Sequence, residues 1–227
     1  MFSSIDLLEQ WCVDRAAAGQ KILGLCAPPG SGKSWLASQL QIRLSLASLS
    51  LDDLYWPQPQ LQQYQRGLPG SHDLPLLKQV LADFRQHGKA MAPCFVKGLA
   101  AGAGDRQGQR PLVGDLLLLE GWCVGARGVP TLQPYQAIWQ QLDGLLLLRP
   151  PSYGRVMRWR LQAEAKQRQQ GGGALSAKQV AAMVLAFYGH LPAEKCFAPL
   201  WQQPQLPTWQ LKLNHQRQPL GPIEVVY

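Results

Sequence analysis

The sequence predicts an α/β fold of three layers, a mostly parallel sheet covered by helices on both faces. Short apolar stretches at residues 21–26, 46–51, 115–119 and 144–148 alternate with longer segments of helical spacing. Those at 115–119 and 144–148 are dominated by leucine, the pattern of strands buried on both faces, and strands alternating with helices make a parallel sheet. The stretch at 21–26 runs straight into a glycine-rich loop and then a helix.

Taken in order, residues 5–18 read as an amphipathic helix with Leu7, Leu8, Trp11 and Val13 or Ala17 on its apolar side, stopped by Gly19. Ala27, Pro28, Pro29, Gly30, Ser31, Gly32, Lys33 and Ser34 then fill the phosphate-loop pattern: a small residue, four free positions, then Gly-Lys-Ser. Alanine stands where the first glycine is usual. Gly30 and Gly32 let successive N–H groups turn inward, and the helix that follows adds the positive end of its dipole to the same spot. Lys33 is placed to reach the outer phosphates as a point charge, the Ser34 hydroxyl to meet a magnesium ion, and Trp35 completes the nucleotide-binding stretch. Trp35, Leu36 and Leu40 continue at helical spacing, so the context is that of a P-loop NTPase-type fold, and ATP and Mg2+ are the implied cofactors.

The strand at 46–51 ends at Asp52 and Asp53, and in an open α/β sheet ligands bind at the carboxyl ends of the strands. Prolines, glycines and glutamines then make 54–75 irregular. Asp73 caps a helix with Pro75 in its first turn, Leu77, Val80, Leu81 and Phe84 on its apolar face and Gly88 at its end. A second irregular stretch, 98–109, carries Asp105 and Arg106. The region of about 54–110 is therefore expected to be an irregular acceptor side around one helix. The strand at 115–119 delivers Glu120 to the same crevice as the phosphate loop, and 133–142 has helical spacing. After Pro151 a long helix carries most of a basic region at 149–170, in which Arg149, Arg155, Arg158, Arg160, Lys166 and Arg168 face one acid, Glu164. Arg160 is spaced to pair with Glu164 four residues on, a structural role. This helix breaks at 171–173. Ser176 and Gln179 form a capping box for one more helix ending before Pro192, and 208–213 alternates as a last strand.

At 227 residues and 46% hydrophobic, the chain can bury a full core, and it reads as one domain over 1–227. No apolar run approaches the ~20 residues of a membrane span, and no signal peptide is indicated, so a cytoplasmic protein without a membrane partner is expected. Cys12, Cys26, Cys94, Cys123 and Cys196 are scattered and form no CxxC pair, which argues against a disulfide framework or a zinc site. The net charge of +8 is dispersed except in the basic region, for which a triphosphate is a sufficient partner, so no nucleic acid is expected. The sequence leaves the oligomeric state open.

Phosphoryl transfer needs a gripped nucleotide, a metal bridging its outer phosphates, an acceptor hydroxyl in line and positive charge over the moving group. Each part has a candidate. Asp52 and Asp53 stand where an acceptor would be oriented or deprotonated, Glu120 where a carboxylate would hold magnesium or its waters, and Arg155 and Arg158 on one face of a helix that closes as a lid.

Six blocks in order, APPGSGKS (27–34), SLDDLY (50–55), LPGSHDL (68–74), GDR (104–106), LEGWCVG (119–125) and RWRLQAE (158–164), resemble the D-glycerate 3-kinase family, relatives of uridine kinase and phosphoribulokinase. The resemblance implies a kinase that moves the γ-phosphoryl of ATP to the 3-hydroxyl of D-glycerate, a small hydroxy acid, giving 3-phosphoglycerate in photorespiratory carbon salvage. It implies Asp52 as base, Lys33 and Ser34 as phosphate and magnesium contacts, Glu120 as the second acidic position and the arginines at 155–160 as the lid. Asp53 and Tyr55, in the SLDDLY block, join His72, Lys97 and Arg106 as the expected substrate-binding set. Arginine suits a bidentate grip on the acceptor's carboxylate and lysine a single charge contact. Two departures stand out. Where the family reads Pro-Arg-Tyr-Asp-Lys this chain has Pro93, Cys94, Phe95, Val96 and Lys97, and Leu54 replaces the usual phenylalanine. The alternative reading is therefore a nucleotide-binding kinase homologue with an altered acceptor or no catalytic activity.

Overall fold

A computed structural model describes residues 4–169, 175–190, 192 and 206–226. The expected helix break at 171–173, Gln170 and Cys196 lie outside the described residues.

Helix α1 (Ser4–Ala17) leads into β1 (Ile22–Cys26), the phosphate loop and α2 (Lys33–Leu44). Strand β2 (Ala47–Ser50) passes through a 3-10 turn, Leu51–Leu54, towards α3 (Leu74–His87), which is followed by β3 (Lys89–Val96) and β4 (Asp105–Val113). The order continues with β5 (Leu117–Gly121), α4 (Gln136–Trp139), β6 (Gly144–Arg149), α5 (Tyr153–Gln169), α6 (Ala177–His190), β7 (Thr208–Lys212) and β8 (Glu224–Val225).

The main sheet has the order β2-β5-β1-β6-β7-β8, with every pair parallel except β7 with β8. Alternate residues explain why its central strands are continuously apolar. Leu23 and Leu25 of β1, Leu118 of β5, and Leu146 and Leu148 of β6 share a core with α1, α2 and Trp159 of α5. Their neighbours Ile22, Cys26, Leu117, Leu119, Leu145 and Leu147 face the other way, onto Leu77, Val80, Leu81 and Phe84 of α3. Each such leucine contributes roughly 1.5–3 kcal/mol on burial, so the loops at the carboxyl edge stand on a firm base.

The capping box forms as expected: the Gln179 side chain accepts from the Ser176 N–H at 2.8 Å, and the Ser176 hydroxyl accepts from the Gln179 N–H at 3.3 Å. The acceptor-side region departs from expectation. Within 54–110, β3 and β4 pair antiparallel from Lys89↔Val113 to Val96↔Asp105, a hairpin outside the main sheet with a register shift between Pro93 and Phe95. Pro93 and Pro111 inside the strands, and the scarcity of buried side chains in both, erased the alternation that marks a strand. The hairpin packs on α3 and on the 3-10 turn at 51–54, so it stands beside Asp52.

Candidate active site

Register places the first part of the site. Leu25 pairs with Glu120, and Ser50 pairs with Glu120 from the other side, so the phosphate loop, Glu120 and the turn bearing Asp52 leave adjacent strand ends. Gly30 and Gly32 have φ of 82° and 89°, the left-handed region the loop's curl requires. The Ser34 hydroxyl donates to Glu120 Oε1 at 2.8 Å, and Lys33 Nζ is 3.8 Å from Glu120 Oε2. Glu120 is buried, and its Oε2 has no hydrogen-bond partner. A buried carboxylate oxygen left open beside a hydroxyl fits a hard cation. Among the described residues no group of three or more His, Cys, Asp or Glu could hold a metal. An ion at Ser34 and Glu120 would therefore complete its shell with phosphate oxygens and water, the usual habit of Mg2+.

Asp52 lies in the 3-10 turn directly after β2. Lys97 Nζ sits 2.7 Å from its Oδ2 and the Tyr55 hydroxyl donates to Oδ1 at 3.0 Å. Burial pushes the Asp52 carboxyl up, but the charges of Lys97 and Lys33 outweigh it and hold the group down at about 2. Tyr55 stacks on His72 with centroids 4.6 Å apart and planes at 17°. His72 Nδ1 is 2.7 Å from the Tyr135 hydroxyl, which also accepts from the Gly70 N–H at 3.1 Å. The arrangement that satisfies the phenol proton has Tyr135 donating to Nδ1, and His72's own proton is then assigned to Nε2. Nε2 is buried without a partner. Burial lowers the ring's pKa to about 4, so His72 is neutral.

Two expected substrate contacts are committed elsewhere. Asp53 turns to the hairpin, accepting from the Phe95 N–H at 3.3 Å and from Arg110 at 3.3 Å, so it is a structural anchor instead of an acceptor contact. Arg106 lies in β4, not in an irregular stretch, and donates to the carbonyls of Tyr55 at 2.9 Å and Leu54 at 3.3 Å while pairing with Asp73 at 3.1 Å. Its Nε and Nη2 are engaged by the turn that carries Asp52 and by Asp73. Asp73 meanwhile accepts from the Leu76 N–H, the cap foreseen for α3. The structure brings together Lys33, Ser34, Glu120, Asp52, Tyr55, His72 and Lys97, and it turns Asp53 and Arg106 into scaffold.

Along α5, Arg155 is half-buried and Arg158 exposed, and neither has an ion-pair partner among the described residues. Arg160 pairs with Glu164, which also accepts from the Leu175 N–H at 2.8 Å. The helix is anchored at its first turns by buried Val156 and Trp159. Trp35 stands in the first turn of α2 with its side chain 61% exposed. Phe95 keeps a ring at the family's phenol position and packs edge-on to Tyr55, with centroids 5.2 Å apart. Residue reasoning missed Tyr135, which orients His72, and Arg110, which holds Asp53; neither sits in a recognisable pattern. It also missed Arg217, whose guanidinium donates to the Gly30 carbonyl at 3.1 Å from a segment with no motif.

No family model matches the chain. The fold matches that of D-glycerate 3-kinase from Cryptococcus neoformans with a TM-score of 0.84 at 21% identity, over 99% of this chain and 100% of that one. The chain is 29% identical to the chloroplastic D-glycerate 3-kinase of Arabidopsis thaliana, over 83% of this chain and 52% of that protein. It is 31% identical to the uncharacterized kinase mug58 of Schizosaccharomyces pombe, over 63% of this chain and 69% of that protein. The chain belongs to one kinase family with mug58. It spans about half the length of the plant relative. Like the Cryptococcus kinase it matches in fold, it has a mostly parallel, helix-flanked sheet, with the phosphate loop at the carboxyl edge. No helix of the described residues is long and apolar enough to cross a membrane.

Proposed function

We propose that the chain is a single kinase domain, dependent on ATP and Mg2+, that phosphorylates the 3-hydroxyl of D-glycerate to give 3-phosphoglycerate. The observation that carries the choice of an anionic acceptor is Lys97. Of the cations on the acceptor side, Arg106 is held by Asp73 and Arg110 by Asp53, whereas the Lys97 side chain is 62% exposed and reaches Asp52 from the open side.

In this reading the phosphate-loop N–H groups and Lys33 hold the outer phosphates. Ser34 and Glu120 hold Mg2+, which when bound neutralises charge on the phosphate oxygens. The acceptor carboxylate draws Lys97 away from Asp52, and the His72 Nε2–H donates a hydrogen bond to an acceptor oxygen. Asp52 loses the larger of the two charges that depress its pKa and becomes a better proton acceptor at the moment the hydroxyl is in place. The hydroxyl oxygen bonds to the γ-phosphorus, its proton passes to Asp52, and ADP leaves. Arg155 and Arg158 supply positive charge from α5.

A neutral acceptor cannot compete for Lys97. Lys97→Ala should therefore raise the Michaelis constant for D-glycerate about tenfold or more, the loss of a charge-assisted contact, with that for ATP little changed. An unchanged Michaelis constant for D-glycerate would remove Lys97 from the pocket. A second reading, a nucleotide-binding homologue without this activity, is favoured by Cys94 and Val96, which lack the charges of the family pattern. It predicts ATP binding without ADP release on any acceptor. The expected cytoplasmic location and a photorespiratory role belong to the proposal; the plant relative's name places that protein in the chloroplast.

A further inference from the structure

The segment after β7 contributes to the phosphate loop although it carries no motif. It makes a tight turn: Leu213 bridges Pro219, the Asn214 N–H donates to the Gln218 carbonyl at 2.8 Å, and Asn214 Oδ1 accepts from the N–H groups of Gln216 and Gln218 at 2.8 and 3.0 Å. Arg217 sits in this turn with a φ of 65°, a conformation few non-glycine residues adopt. Its backbone carbonyl accepts from the Ser4 hydroxyl at 3.0 Å, which ties the turn to α1.

The side chain is engaged along one edge and one face. Arg217 Nε donates to the Gly30 carbonyl at 3.1 Å, Nη2 donates to the Trp159 carbonyl at 3.3 Å, and the guanidinium lies over the Trp159 ring, 4.9 Å from its centroid. Trp159 returns the contact, its indole N–H donating to the His215 carbonyl at 3.1 Å. The loop itself presses on α5, since a Cβ at Gly30 would come within 2.9 Å of the Arg160 nitrogen. Arg217 thus fastens the crown of the phosphate loop to the helix that bears Arg155 and Arg158.

We propose that Arg217 is a positioning residue for nucleotide binding, holding the Gly30–Ser31 peptide and α5 in the arrangement that receives the triphosphate. The Gly30 carbonyl and the Ser31 N–H are two ends of one planar peptide unit. A charged donor on the carbonyl fixes that plane, and with it the turn that the Ser31 N–H closes by donating to the Pro28 carbonyl at 3.3 Å, so the curl that exposes the loop's remaining N–H groups is held in place. Stacking on Trp159 presets the guanidinium, so little order has to be created when nucleotide arrives. Glycine at 30 and arginine at 217 are then two halves of one device. The first lets the backbone touch α5, and the second keeps it there.

The inference rests on the phosphate-loop assignment and is independent of the acceptor. Calorimetric titration of the full chain with Mg-ADP and Mg-ATP tests it in Arg217→Ala, Arg217→Lys and Lys33→Ala, alongside thermal melts and Michaelis constants for both substrates. Arg217→Ala should weaken nucleotide binding about tenfold or more and raise the Michaelis constant for ATP but not that for the acceptor. Arg217→Lys, which keeps the charge but not the fork, should recover part of the affinity. If Arg217→Ala does not fold, Arg217→Lys carries the test, with a folded protein of reduced nucleotide affinity expected. Wild-type nucleotide affinity in a folded Arg217 variant, with Lys33→Ala impaired, would overturn the inference alone. Wild-type affinity in Lys33→Ala as well would overturn the phosphate-loop assignment beneath it.

Discussion

Asp52 and Asp53 are adjacent in sequence and opposite in use, because a 3-10 turn sends one carboxylate to Lys97 and Tyr55 and the other to the hairpin. The strand before them made both visible as site acids, but their division depends on residues 42–57 positions away, which no local pattern contains. Asp52→Asn should lower kcat by about 10²–10⁴ while ATP affinity stays near wild type, since a base acts in the transition state; single-turnover rates with calorimetric ATP titration check it. Asp53→Asn should act on melting temperature more than on chemistry. His72 gives a pH test. Burial lowers its pKa from 6.5 to about 4, so between these values the unfolded chain binds a proton that the folded one does not, and stability falls as pH drops from 6.5 towards 4. The Asp52 shift, from 3.8 to about 2, acts below that window: its stabilisation is lost as pH falls through those values. Melting curves from pH 7 to 5 should therefore slope downward in the wild type and be flatter in His72→Gln. Equal slopes would mean that His72 is already protonated in the folded protein.

At the level of elements, the β3–β4 hairpin is what sequence pattern concealed, and it is what fixes the acceptor side. Period-2 alternation marks a strand only when one face is buried. Here Pro93, Pro111 and the scarcity of buried side chains left a hairpin that looks like loop. Lys97 follows β3 and Arg106 lies in β4, so the hairpin sets the distance between an exposed cation and a largely buried one. Arg106→Ala should cost about 2–4 kcal/mol of stability, because it strands the largely buried Asp73 and frees the carbonyls of Leu54 and Tyr55. Urea unfolding measures this. A variant that keeps wild-type stability and loses only acceptor affinity would return Arg106 to the substrate. Helix α5, by contrast, was legible in its start after Pro151 and in the Arg160–Glu164 pair, yet its bond to the phosphate loop through Arg217 was not.

For the molecule as a whole, the three-layer plan was readable because uniform leucine strands have one stable environment, a sheet covered on both faces. The phosphate loop was readable because glycine, lysine and serine at fixed spacing satisfy one geometric demand. The proposed acceptor pocket was less so, since its residues come from the turn after β2, the buried His72 pair, the hairpin and a lysine whose partner is itself a candidate site residue. The most direct test of the account is the initial rate of ADP release from ATP with D-glycerate, L-glycerate, pantothenate, uridine or ribulose 5-phosphate at matched Mg2+. Wild type should prefer D-glycerate and yield 3-phosphoglycerate, and Lys33→Ala should yield none. Turnover of uridine alone, or no turnover of D-glycerate by a protein that binds ATP, would contradict it.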